Sequence, residues 1–251
     1  MNTETEEYFL NRHTVRTFTS EVPSKELIRS IVEAASHAPN TGNMQLYSVV
    51  ETRSPEQRAL LAPQHFNQPA AVNSPVLLTV CADVRRFERW CEVSRAEPAM
   101  RNPQMLLAAI IDAVAFTQQI VTIAELHGLG TCYLGTVTYN APKIAEMLGL
   151  PAGTVPVCCL AVGYPSEPGV ESERLPVEAI LCEETYPERT DEEIRELYRA
   201  KDDYEPNRKF IEENGKETLA QVFTDVRYPR SNNEPFSKIF VDFLRAQGFE
   251  V

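Results

Sequence analysis

Apolar positions in this chain follow two periods, one near 3.6 residues and one near 2, and the switches between them mark out the elements. In PSKELIRSIVEAASHAP, Leu27, Ile28, Ile31, Val32 and Ala35 repeat at helical spacing, and Pro39, in the turn composition APNTGN, ends the helix. LYSVVE and SPVLLTVCAD are β-branched or apolar runs bounded by turn residues, so both read as core strands. Ser54-Pro55-x-Gln57 starts a helix between them. Asn102-Pro103 starts a longer helix reaching about His127, with apolar residues on more than one face, which suits a central helix or one at a subunit interface. GLGTCYLG follows it, NAPKIAEMLGLP reads as a capped helix, and VPVCCLAVGYP as a near-continuous apolar strand.

A short helix opens the chain at the capping box Thr3-x-x-Glu6. Helices and strands then alternate up to Pro165, beyond which SEPGVESERLP is a turn-rich loop. Thr190-x-x-Glu193 caps a charged helix to about Ala200, and FSKIFVDFLRAQGF predicts a last amphipathic helix ending at Gly248. The charged stretch KDDYEPNRKFIEENGKE separates core from appendage. The expectation is one domain over 1–251 with a C-terminal helical excursion at about 186–251.

Composition narrows the classes. With 43% hydrophobic and 24% charged residues the chain is that of a folded globular protein. Met105 to Leu126 is interrupted by Asp112, Thr117, Gln118, Gln119, Thr122 and Glu125, so it reads as a buried helix and not a membrane span. MNTETEEYFLNR lacks the basic start and apolar stretch of a signal peptide, so a cytoplasmic location is expected. Acidic residues outnumber basic ones 36 to 24, with no basic run, which argues against a nucleic acid or an anionic membrane as partner and leaves a small molecule. Cys81, Cys91, Cys132, Cys158, Cys159 and Cys182 lie mostly in apolar runs without a C-x-x-C pair, so they read as buried free thiols. Cys158 and Cys159, as strand neighbours, face opposite ways.

G-x-S-x-G, G-x-x-x-x-G-K-[ST] and H-E-x-x-H are absent. GLGTCYLG has the wrong spacing for a dinucleotide fingerprint and lies after a helix instead of after a strand. More chemistry sits in NRHTVRTF, where Arg12, His13, Thr14 and Arg16 gather cations in a chain of formal net charge -12. Two guanidinium groups, an imidazole and a hydroxyl suit a dianionic phosphate. Surface charge clusters are also commonly idle, paired with neighbouring glutamates, and these residues by themselves leave both readings standing. APNTGNMQ presents Asn40, Thr41, Asn43 and Gln45, which suit either a planar heterocycle with carbonyls and ring nitrogens or a plain polar turn.

In order, N-R-H-T-V-R-T-F, A-P-N-T-G-N-M-Q, a long apolar helix into G-L-G-T-C-Y-L-G, V-P-V-C-C-L-A-V-G-Y-P and S-E-R-L-P resemble the FMN-dependent nitroreductase superfamily. The resemblance spans residues 1 to about 176. G-Y-P at 163–165, R-L-P at 174–176 and Q-G-F at 247–249 are similar to the larger NADPH-preferring nitroreductases and flavin reductases. The resemblance implies an α+β sandwich around a mainly antiparallel sheet flanked by helices, in an intertwined homodimer. It implies FMN as cofactor and NAD(P)H as donor, with ping-pong two-electron delivery to a nitroaromatic, quinone or flavin and no catalytic acid or base. A flavin-binding carrier or redox sensor, or a flavin enzyme dedicated to one substrate, are the alternatives.

Residue by residue, the resemblance places Arg12, His13, Thr14 and Arg16 around the ribityl phosphate, with Arg174 as a further contact. Pro39, Asn40, Thr41 and Asn43 match the loop against the isoalloxazine, often supplied by the other subunit. Gln68 matches a polar ring contact, and Tyr133, Leu134 and Gly135 the turn over the flavin. Lys201 and Arg208 are candidates for the donor's 2'-phosphate. Two positions depart: Ser172 stands where a lysine is common, and Thr136 where a second glycine is common.

Overall fold

The computed structural model describes residues 3–169 and 172–251, with side chains from Glu6 onward in the first helix. Two compact units result, one of Arg12–Val170 with Phe236–Val251 and one of Met1–Asn11 with Glu171–Pro235.

In chain order the elements are α1 (Thr3–Leu10), α2 (Lys25–Ala35), β1 (Tyr47–Thr52), α3 (Pro55–Leu61), α4 (Pro69–Asn73), β2 (Val76–Asp83), α5 (Arg85–Val93), α6 (Pro103–Leu126), β3 (Gly130–Tyr133), α7 (Ala141–Met147), β4 (Thr154–Gly163), α8 (Asp191–Asp203), α9 (Glu205–Glu213), α10 (Leu219–Val222) and α11 (Arg230–Ala246). The Thr3 side chain of the expected opening cap lies outside the described residues. Caps explain several of the starts: the Ser24, Ser54 and Asn102 side chains each accept a backbone N–H of the first turn of α2, α3 and α6.

The larger unit is built on an antiparallel sheet in the order β1-β2-β4-β3. Alternation sends Val76, Leu78, Val80, Cys158, Leu160 and Val162 into a core with α2 and α6. Leu77, Cys159 and Ala161 enter the opposite core with Leu61, Ala71 and Ile144. The adjacent cysteines thus face opposite ways, as the strand period requires. Pro156 stands inside the central strand β4, where it cannot donate to the ladder, and the register slips there between Val80 and Cys81.

Among the described residues α6 is the one helix long and apolar enough to cross a membrane, and half of that stretch is buried in the fold. It packs across all four strands and buries Asp112 and Thr117, as the core helix expected from its polar interruptions. Its face bearing Leu107, Ile111 and Val114 is exposed.

Sequence reasoning missed five elements. β3 lies inside GLGTCYLG, and α4, α5, α9 and α10 fall where no element was expected. Asn140 does not cap α7 with its side chain; its amide instead donates to the Gln64 carbonyl at 2.8 Å. In the smaller unit Thr190 and Glu193 form the expected reciprocal capping box of α8. The last helix begins at Arg230, six residues before the expected start, and carries Pro235 inside it.

Candidate functional site

The basic segment hangs on the free edge of β3. Val15 N–H donates to the Thr131 carbonyl at 3.1 Å, and Phe18 bridges Pro165, just past β4. A close approach makes this possible: a Cβ on Gly130 would stand 2.6 Å from the Val15 side chain, so only glycine admits the segment there. With Val15 buried, the neighbouring residues Thr14 and Arg16 sit at alternate positions that are half-buried and exposed.

Arg12 reaches Glu125, near the end of α6, at 3.1 Å. Glu125 also accepts the Thr131 hydroxyl at 2.6 Å. The Arg12 Nε is buried without a hydrogen-bond partner, and among the described residues Arg16 makes no ion pair or side-chain hydrogen bond. Both guanidinium groups act on the Cys132 thiol: burial pushes that thiol up, and Arg16 and Arg12 pull the other way. Two cations therefore converge beside the end of β3 with donor capacity unspent. A buried, unsatisfied charged donor is costly, so an anion with several acceptor oxygens fits here. His13 packs against Gly169, where a Cβ would lie 2.0 Å from its ring, and lines a groove with Pro165, Ser166 and Pro168.

Tyr133, Leu134 and Gly135 continue directly from that edge. Leu134 is fully buried and donates to the Cys159 carbonyl at 2.8 Å, and burial pushes the Tyr133 phenol well up. Gly135 differs from Gly130: a Cβ there would meet nothing within 4 Å, and its φ is not left-handed. Fold alone does not demand glycine at 135, whereas close approach of a ligand to the backbone would. Gln68, half-buried ahead of α4, has a carboxamide with no partner among the described residues.

The loop of residues 39–43 lies elsewhere. Thr41 donates its N–H and its hydroxyl to Asp112 Oδ1 at 2.8 and 2.9 Å, and Asn40 accepts the Gln45 N–H and donates to the Ala38 carbonyl. Those side chains therefore brace the loop, while Pro39 and Asn43 stay exposed. Asp112 and Glu125 are about 20 Å apart along α6 at 1.5 Å per residue. Within one chain, then, this loop and the Arg12 cluster are held at separate stations of the same helix.

In the smaller unit Arg174 turns back to donate to the carbonyls of Ser172 and Glu173. Lys201 pairs with Glu173 at 2.9 Å and Arg208 with Asp203 at 2.6 Å, so each cation expected to meet a 2'-phosphate already has an acidic partner.

Three side chains of consequence were given no part in the site from sequence. Asp112 and Glu125 were legible as acids interrupting an apolar helix. His65 gave no such sign: it is fully buried, its Nδ1 lies 3.0 Å from Thr136 Oγ1, and burial lowers it to about 4. Thr136, the residue that departs from the glycine pattern, thus has a partner of its own.

Residues 10–164 match the Nitroreductase family. The chain is 31% identical over 188 residues to the FMN reductase (NADPH) of Bacillus subtilis (strain 168), covering 74% of this chain and 76% of that protein. A crystal structure of a protein from Bacteroides fragilis NCTC 9343 superposes with a TM-score of 0.95 at 44% identity, over 97% of this chain and 99% of the other. The NfrA1 nitroreductase of B. subtilis superposes with a TM-score of 0.86 at 27% identity, over 98% of each chain. By sequence and by fold, the chain belongs to the Nitroreductase family of oxidoreductases.

Proposed function

We propose that this chain binds FMN and uses NAD(P)H to reduce a small electron acceptor, a nitroaromatic, quinone or flavin, in ping-pong two-electron turnover. One observation carries the reading: Arg12 and Arg16 converge on the edge of β3 with unspent donors, in a chain of formal net charge -12. Arg12, His13, Thr14 and Arg16 would hold the phosphate, and Tyr133, Leu134, Gly135 and Gln68 would flank the ring. Bound FMN supplies the two-electron carrier between nicotinamide and acceptor. The chain's own part is to bind, orient and shield that group, and no side chain is assigned as acid or base.

The remaining contacts come from a second copy. The exposed stripe of Leu107, Ile111 and Val114 runs beside Asp112, which anchors the loop of Pro39, Asn40, Thr41 and Asn43. An apolar stripe next to a braced loop, set apart from the Arg12 cluster of its own chain, suits a homodimer in which the loop meets the partner's flavin. Lys201 and Arg208 would meet a donor's 2'-phosphate by exchanging the acidic partners Glu173 and Asp203 for it. A cytoplasmic location fits the reading.

The test is spectroscopic. Purified protein should be yellow, and anaerobic NADPH or NADH should bleach the flavin band, with colour returning on addition of a quinone. Protein that binds FMN without bleaching would be a carrier or sensor, and protein that takes up no FMN would contradict the proposal.

A further inference from the structure

His65 is the fully buried histidine of the larger unit, and no step above uses it. It ends a short turn, Ala62–His65, that packs against a second turn, Gly135–Thr138. Two hydrogen bonds tie these segments: His65 Nδ1 to Thr136 Oγ1 at 3.0 Å, and Asn140 Nδ2 to the Gln64 carbonyl at 2.8 Å. The second tie explains why Asn140 leaves the start of α7 uncapped.

Each tied segment delivers an aromatic ring. Phe66 follows His65 with a left-handed φ of 54°, and Asn67 repeats it at 51°. Such a backbone is strained for a bulky residue and persists only where its surroundings hold it. The Phe66 ring lies edge-on to Tyr139, centroids 6.2 Å apart, and edge-on to Phe236 at 5.9 Å. Tyr139 and Phe236 stack at 5.0 Å. Phe66 is nonetheless 49% exposed, so the cluster presents a ring to solvent. Gln68 lies two residues beyond Phe66 and Gly135 four before Tyr139, so both flanks adjoin the residues proposed to contact the flavin ring.

We infer that His65 and Thr136 are positioning residues: their hydrogen bond locks the two turns together and so sets an aromatic rim, Phe66 with Tyr139 and Phe236, that receives a planar aromatic electron acceptor. The inference rests on the FMN reading and deepens it by naming the residues that would position the acceptor. A rigid ring edge rewards a flat apolar acceptor through stacking and area burial. A small hydrated oxyanion gains nothing from it.

The test compares Thr136→Val, which keeps the shape and removes the hydroxyl, with Thr136→Ser, which keeps the hydroxyl. Wild-type holoenzyme and both variants are assayed with menadione and with chromate. Binding of 4-nitrobenzoate to the oxidised holoenzyme is measured by calorimetry without reductant. Thr136→Val should raise KM for menadione and Kd for 4-nitrobenzoate about tenfold, the loss of one part-buried hydrogen bond. Its KM for chromate and its FMN content should stay unchanged, and Thr136→Ser should behave as wild type. Phe66→Ala, which leaves the clamp intact, should reproduce the menadione and 4-nitrobenzoate losses. Equal losses on menadione and chromate, loss of FMN from Thr136→Val, failure of Thr136→Ser to rescue, or unchanged values throughout would each overturn the inference. Wild-type protein that takes up no FMN would instead sink the reading beneath it.

Discussion

His65 carries its ring where charge is not tolerated, and its titration is a measurable property of the fold. Burial alone lowers it from an ordinary 6.5 to about 4, so folding favours the neutral ring. The stability this contributes is fully present above about pH 6.5 and is lost as pH falls toward 4, on the order of 3 kcal/mol in all. Carboxylates titrate through the lower part of the same window, so the difference from His65→Gln isolates the ring. Urea midpoints from pH 7 to pH 4.5 should fall less steeply in that variant than in wild type. A parallel fall in both would contradict the assignment. Gly130 offers a second single-atom test. Its missing Cβ leaves room for Val15, so Gly130→Ala should cost about 1–3 kcal/mol by overpacking and loosen the basic segment from β3. Equal urea midpoints for variant and wild type would show that the contact yields without cost.

At the scale of elements, Arg101 joins parts that are distant in sequence. Its guanidinium donates to both carboxylate oxygens of Glu88 in α5, at 2.6 and 2.5 Å, and to the Gln247 carbonyl after α11 at 2.5 Å. Gly153 and Gly248, at φ of 87° and 90°, leave space for it: a Cβ on either would stand within 3 Å of its nitrogens. The pair is only partly solvent-exposed, so Arg101→Ala should cost about 3 kcal/mol by stranding Glu88 and freeing the last turn. Equilibrium unfolding measures this, and a loss under about 0.5 kcal/mol would show that the contact is idle. Legibility followed the physics of each element. α2, α6, β1, β2 and β4 could be read because their burial period repeats over many residues. β3 could not, since four residues carry too little period and their strand geometry comes from pairing with β4. α5, RRFERWCEV, hides its apolar face among charges. Asn140 looked like a cap, but its amide found a tertiary partner instead. The cations of NRHTVRTF were legible as residues. That Arg12 pairs with Glu125 while Arg16 has no ion pair among the described residues depended on the three-dimensional course of α6.

Across the whole molecule, the formal net charge of -12 coexists with the cation cluster of Arg12, His13 and Arg16, and that cluster is where an anion would find local attraction. Assembly belongs to the same scale. Leu107→Asp with Ile111→Asp places charges on the exposed stripe of α6 without entering the core, so the proposed homodimer should become monomeric in light scattering while its helical content is retained. A wild-type monomer, or a dimer that survives the change, would contradict the shared-site proposal. The central claim, that the β3-edge cations hold the flavin's phosphate, is tested most directly by the FMN affinity of Arg16→Ala, alone and with Arg12→Ala. Among the described residues Arg16 makes no ion pair or side-chain hydrogen bond, so its loss removes no such bond from the fold and reports on the ligand. Titration of apoprotein, followed by quenching of flavin fluorescence, should show affinity reduced about tenfold or more by the single change and about 100-fold or more by the pair, with an unchanged circular dichroism spectrum. FMN bound as tightly by the double variant as by the wild type would contradict the account.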